Sequence, residues 1–260
     1  MQQGGHRTSR LFMQDAWRPD LYYHVIGKAV PGELLFRDER DYRRFLRKNL
    51  RDRYGIIFQV YVYCLLPNHY HLVVRTRTRG EIAERLGALR RRLKRYERAF
   101  LAGESTWTTF VQAVFRAAPS SYAQYYNRRY GRDAQLFVKP TLHGLTDKGA
   151  PGVEFSKTLA AYVGLNFYKH GLAPADANYP WSSLTAPKYH IIEPDIELHY
   201  GSEEAYRAFH LHYLKKYGAR LLAFDEEAFF ANLRPREYFE DIGEWREVEA
   251  RGGGGGGGGG

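Results

Sequence analysis

His69 and His71 stand two residues apart in an apolar run, directly after Pro67-Asn68. In a strand, side chains two apart share a face, so the two imidazoles project side by side. Such a pair on rigid backbone binds a divalent ion or acts on a phosphate. The same pattern also occurs on strands with no such role, so a third group is needed. Tyr162 and Asn166 stand four apart in residues 160–172 and lie on one helix face. A phenolate attacks phosphorus, and an amide oxygen on that face completes a metal site. Spacing alone allows the plainer alternative of a core tyrosine and a polar residue near a helix end. Tyr122, Tyr125, Tyr126 and Tyr130 are interleaved with Arg128, Arg129 and Arg132. Neighbouring positive charge lowers a phenol's pKa from about 10, which makes these tyrosines rival nucleophiles.

The elements that must hold these groups follow from periodicity. Residues 21–30 read as a strand. Asp38 is placed to cap a helix through residue 54, with Tyr42, Phe45, Leu46, Leu50 and Tyr54 on one face. Residues 56–66 read as a second strand with Phe58, Val60, Val62 and Cys64 on one face. Pro67-Asn68 turns it into the histidine strand, so the two pair antiparallel. On that strand Tyr70, Leu72 and Val74 oppose the histidines and read as core.

Residues 81–100 read as one helix with an arginine-rich face, either a solvated surface or a phosphate-facing one. A further helix over 105–120 is expected to break near Pro119. Residues 153–170 form the next helix, stopped by Gly171, and residues 202–217 form an amphipathic one. The order gives an α+β fold, a ferredoxin-like antiparallel sheet with helices packed on one face. The expected divisions are a polar arm (1–20), a catalytic domain (21–189), a mostly helical C-terminal extension (190–250) and a glycine-rich tail (251–260).

The 260 residues carry a net charge of +10, with 21 tyrosines and 15 phenylalanines. That balance favours nucleic acid, and aromatic rings beside cations suit single-stranded DNA. The expected contacts are Tyr125, Tyr126, Arg128, Arg129, Arg91, Arg92 and Arg95. A single cysteine, Cys64, excludes an internal disulfide framework. No stretch has the length and apolarity of a membrane span. With no apolar segment near the start, the expectation is a cytoplasmic protein, nucleoid-associated through DNA, as monomer or homodimer.

Six pieces occur in an order that resembles a known family. They are Tyr23-His24-Val25; Leu35-Phe36-Arg37-Asp38; Leu66-Pro67-Asn68-His69-Tyr70-His71-Leu72; Tyr125-Tyr126-Asn127-Arg128-Arg129-Tyr130-Gly131; Tyr162-Val163-Gly164-Leu165-Asn166; and Tyr179-Pro180-Trp181-Ser182-Ser183. Over roughly the first two-thirds of the chain this resembles the REP-associated tyrosine transposases, single-tyrosine members of the HUH endonuclease type. The resemblance implies Mg²⁺ or Mn²⁺ held by His69 and His71, with Asn166 as third ligand. It implies Tyr162 as the nucleophile that cleaves single-stranded or hairpin DNA through a 5′-phosphotyrosine intermediate. Phe167 stands where the family commonly has proline, and Pro140 where basic residues are usual. Competing readings are a DNA-binding protein of this fold without the chemistry, a metal-dependent nuclease using water, and a replication or conjugation initiator.

Overall fold

The computed structural model describes residues 17–138, 141–144, 161–174, 179–184, 202, 204–205, 208–213 and 215–216. Strand β2 (Phe58–Leu66) and strand β3 (His69–Thr76) form a hairpin closed by Pro67-Asn68, with Leu66 opposite His69. The other side of β3 pairs with β1 (Tyr22–Lys28), and β1 pairs with β4 (Thr141–Gly144). All pairings are antiparallel, in the order β2-β3-β1-β4. The molecule is therefore a mixed α/β structure built on one antiparallel sheet.

Helix α1 (Glu39–Arg44) begins where expected, since the Asp38 side chain accepts from the backbone N–H groups of Arg40 and Asp41. It continues as a π-helical stretch (Phe45–Tyr54) and a short turn, α2 (Gly55–Ile57). Then come α3 (Arg79–Gly87), α4 (Arg95–Leu101) and α5 (Trp107–Tyr130). Tyr23, Val25, Tyr70, Leu72 and Val74 share one core with Phe45, Leu46 and Leu50 of the π stretch and Phe115 and Tyr122 of α5. Gly27 lies opposite Tyr70, and a Cβ there would stand 2.2 Å from the Tyr70 ring. A glycine in mid-strand is what lets that ring lie flat across β1.

Four expectations are corrected. The faces of β2 do not alternate throughout: a register shift between Val60 and Val62 leaves Tyr61 as the extra residue. A bulge reverses the parity beyond it, so Tyr63 and Leu65 join Phe58 and Val60 in the core, while Cys64 pairs with His71 and Leu66 with His69. The single helix over 81–100 is two. Gly87 ends α3, and the buried Glu97 carboxylate starts α4 by accepting from the Lys94 N–H at 2.7 Å and from Arg91 at 2.7 and 2.8 Å. Conversely, α5 runs unbroken through Pro119, braced where Asn49 donates to the Ala118 carbonyl. Trp17, assigned to the polar arm, is buried against Tyr23, Phe58 and Phe115.

Residues 204–205, 208–213 and 215–216 are helical, as the amphipathic pattern predicts. The arm before residue 17, Pro140, residues 153–160, most of the extension beyond residue 184 and the glycine tail lie outside the described residues.

The core is rich in tyrosine. Burial pushes the Tyr70 and Tyr42 phenols up to about 12, and raises Tyr54 and Tyr122 well above the ordinary value. Unfolded tyrosines release their protons near pH 10 while these folded ones keep theirs. Above that pH the unfolded state binds fewer protons, so stability falls as pH rises towards about 12, by up to about 1.4 kcal/mol per pH unit for each such group. Melting temperature should therefore drop steeply across this window, and near-ultraviolet phenolate absorbance from the buried rings should appear only with unfolding. A melting temperature unchanged up to pH 12 would contradict this packing.

Candidate active site

Alternation along β3 puts His69 and His71 on the sheet face away from the core. His71 is fully buried and His69 is nearly so, with ring centroids 5.0 Å apart and planes at 76°. The His69 Nδ1 donates to the Asn68 side-chain oxygen at 2.7 Å. In a neutral imidazole that bond leaves the lone pair on Nε2. His71 Nδ1 lies 3.0 Å from His24 Nε2, with both rings buried and stacked at 5.2 Å. If His71 donates, its own lone pair also falls on Nε2.

The sequence reading treated His24 only as part of the first strand. Its signal was there: Tyr23 and Val25 point to the core, so alternation sends His24 to the histidine face. A buried imidazole in an apolar strand needs a polar partner.

The opposite wall comes from residues 161–164, a turn at Leu165, and α6 (Asn166–Lys169). Helices thus pack on one face as expected from α1 to α5, while this segment crosses the other face. Tyr162 stands edge-on to His24, ring centroids 6.5 Å apart. Lys169 Nζ donates to the Tyr162 hydroxyl at 3.2 Å and lies 5.4 Å from its ring centroid. That ammonium is placed to stabilise negative charge on the phenol oxygen. The His170 ring lies 4.8 Å from that of His69. Neither Lys169 nor His170 was singled out from the sequence, although Lys169 is one helical turn beyond Asn166 on the Tyr162 side.

Asn166 is fully buried; its Nδ2 donates to the Tyr162 carbonyl at 3.2 Å. Its Oδ1 is buried and has no hydrogen-bond partner among the described residues. A buried amide oxygen left without a donor is costly unless a cation or donor arrives. Gly171 takes a left-handed φ of 65° and ends the segment, as its position predicts.

What holds this segment is the run Tyr179 to Ser183. Trp181 and Ser183 extend the sheet at the open edge of β2: the Leu65 N–H donates to the Trp181 carbonyl at 2.9 Å, and the Ser183 N–H to the Tyr63 carbonyl at 2.9 Å. The Tyr179 hydroxyl donates to the Leu65 carbonyl, its ring stacks on Phe167, and Ser182 Oγ donates to the Gly164 carbonyl at 2.7 Å. His210 closes over Gly164, where a Cβ would stand 3.0 Å from its ring.

The rival tyrosines sit elsewhere. Tyr122 and Tyr126 are buried in the core across the sheet. Buried Asp41 accepts from Tyr125 at 3.0 Å, Tyr130 at 2.7 Å and Arg129 at 2.6 Å. Burial raises all four phenol pKa values, and the Asp41 carboxylate adds to the effect at Tyr122, Tyr125 and Tyr130. This reverses the expectation that neighbouring arginines would favour their phenolates. The Tyr125 to Arg132 run is a lock onto α1. Tyr126 offers no ring face to a base, Arg44 covers the ring of Tyr125, and Arg129 also pairs with Asp38. Arg91 is bound to Glu97, whereas Arg92, Arg95 and Arg128 are exposed.

Among the described residues, no group of three or more His, Cys, Asp and Glu side chains converges on a metal position. Among the same residues, no helix is long and apolar enough to cross a membrane. No family model and no curated protein matches the chain. Among solved structures it is similar to a REP-associated tyrosine transposase bound to a REP hairpin, at 12% identity and a TM-score of 0.41, covering 68% of this chain and 85% of that one. A likeness of that degree assigns no role to any residue here.

Proposed function

We propose that the chain is a metal-dependent DNA strand transferase that cleaves single-stranded or hairpin DNA through a phosphotyrosine at Tyr162. The observation that carries this is the arrangement of one sheet face. It holds two imidazoles, the Tyr162 hydroxyl beneath an ammonium, and a buried amide oxygen with no donor. The strand order, with α1 to α5 on the far face, is read as ferredoxin-like.

The donor set fits a hard divalent ion, Mg²⁺ or Mn²⁺: His69 and His71 through Nε2, and Asn166 through Oδ1. When bound, such an ion polarises the phosphate and offsets the charge that develops there. The chain's own groups do the rest. Tyr162 is oriented by Lys169 and attacks phosphorus. The new bond joins the phenol oxygen to the 5′-phosphate as the bond to the 3′-oxygen breaks. The phenol loses its proton, and the departing oxygen takes one up to become a 3′ hydroxyl. One phosphodiester replaces another, so a 3′ hydroxyl can reverse the step and rejoin strands without a nucleotide cofactor.

His69→Ala and His71→Ala should each abolish cleavage in Mg²⁺ while retaining most DNA affinity, which rests on distributed charge. Wild-type cleavage rates from both variants would remove the metal pair from the mechanism. His24 acts through His71, by accepting its Nδ1 proton. His24→Leu should weaken Mn²⁺ binding about 10- to 100-fold by calorimetry. His24→Gln, whose side-chain oxygen also accepts, should recover most of that loss. Unchanged Mn²⁺ affinity in His24→Leu would make His24 a packing residue only.

A further inference from the structure

The outer face of α1 and the π stretch carries a stripe of cations that the catalytic reading leaves unused. Arg40, Arg43, Arg44, Arg47, Lys48 and Arg51 recur three or four residues apart, and all but Arg44, which is half-buried, are exposed. Arg40, Arg43, Arg44, Arg47 and Lys48 line an open depression of about 400 Å³ with Tyr125 and a single carboxylate, Glu39. Tyr125 is fixed by its bond to Asp41, and the Arg44 guanidinium sits 5.2 Å from the Tyr125 ring centroid.

The local carboxylates do not balance this charge. Arg43 pairs with Glu39, while Lys48 and Arg51 share Asp52. Arg40, Arg44 and Arg47 form no ion pair among the described residues. Four like-charged pairs stand at i,i+4: Arg40–Arg44, Arg43–Arg47, Arg44–Lys48 and Arg47–Arg51. Like charges so placed destabilise a helix. Folding alone gives no reason for them, whereas a polyanion does.

The stripe is also well placed for the strand held at the histidine face. The backbone N–H groups of Leu35 and Phe36 both donate to the Pro67 carbonyl, at 2.7 and 3.0 Å. The start of α1 is thereby tied to the turn that leads into His69. That tie marks the end of the sheet around which a DNA segment would pass from the histidine face to the stripe. Among the described residues the one ring in the depression, Tyr125, is covered by Arg44, which favours phosphate over bases.

We infer that Arg40, Arg44 and Arg47 form a sequence-independent docking surface for the DNA backbone flanking the reacting phosphodiester. This rests on the reading above that DNA is the substrate. The test is fluorescence anisotropy of a labelled hairpin and of an unstructured strand, in EDTA, over a salt series. Chelation makes the result independent of cleavage. The triple variant Arg40→Gln/Arg44→Gln/Arg47→Gln should flatten the slope of log affinity against log salt by about 2. The matching triple lysine variant should keep the wild-type slope. Arg47→Gln alone, exposed and in no ion pair, should show about a third of the effect and guards against a folding defect in the triple variant.

A change seen only with the hairpin assigns the surface to the duplex stem. A change seen only with the unstructured strand assigns it to the single-stranded flank. Wild-type slopes from the glutamine variants on both DNAs, or an equal loss in the lysine variant, overturn the inference and leave the catalytic reading standing. A wild-type protein with no DNA affinity at low salt would overturn both.

Discussion

Strand β3 is paired on both edges, so its side chains have no choice but to alternate. One face must fill a core and the other must hold whatever the core excludes. Tyr70, Leu72 and Val74 are packed under the π stretch and α5, which fixes the register by the free energy of burial. A slip of one residue would put two imidazoles into the core and three large apolar side chains over the site. The orientation of His69 and His71 is thus enforced by hydrophobic packing on the other side of the sheet. The bulge at Tyr61 completes the arrangement, since it turns Cys64 and Leu66 beneath the histidines and sends Tyr63 into the core.

The segment that carries Tyr162 is held by what crosses it. Within the described residues, 161–164 and Asn166–Lys169 are helical and meet at a turn at Leu165. Their position is set by the strand-like run at Trp181 to Ser183 on β2, the Tyr179–Phe167 stack and the Ser182 bond to Gly164. The same face therefore brings His69, His71 and Tyr162 together through the edges and loops of one sheet. Lys169 then orients the Tyr162 hydroxyl, and the Asn166 amide is left with an oxygen that only an arriving cation or donor satisfies.

Much of this was legible in the chain. The histidine hairpin, the Asp38 cap and the Gly171 stop follow from local chemistry, and the structure has them. What failed was non-local. Nothing near Tyr61 announces a bulge, because its cause is the pairing with β3. The break at Gly87 depends on Glu97 reaching back to Lys94 and Arg91. Pro119 sits inside an unbroken helix because tertiary packing holds it there. The tyrosines of α5 looked like a stacking platform because a sequence shows their arginines and not Asp41, 80-odd positions away, which binds them. His24 was missed because its partner lies across the strand pairing.

The central claim is that Tyr162, and no other tyrosine, bonds covalently to DNA. The most direct measurement is mass spectrometry of the proteolysed adduct formed on single-stranded DNA in Mn²⁺. The account predicts the nucleotide on the peptide containing Tyr162, and no adduct surviving denaturing electrophoresis from Tyr162→Phe. A nucleotide on the peptide spanning Tyr122 to Tyr130, with Tyr162→Phe still forming adduct, would contradict it.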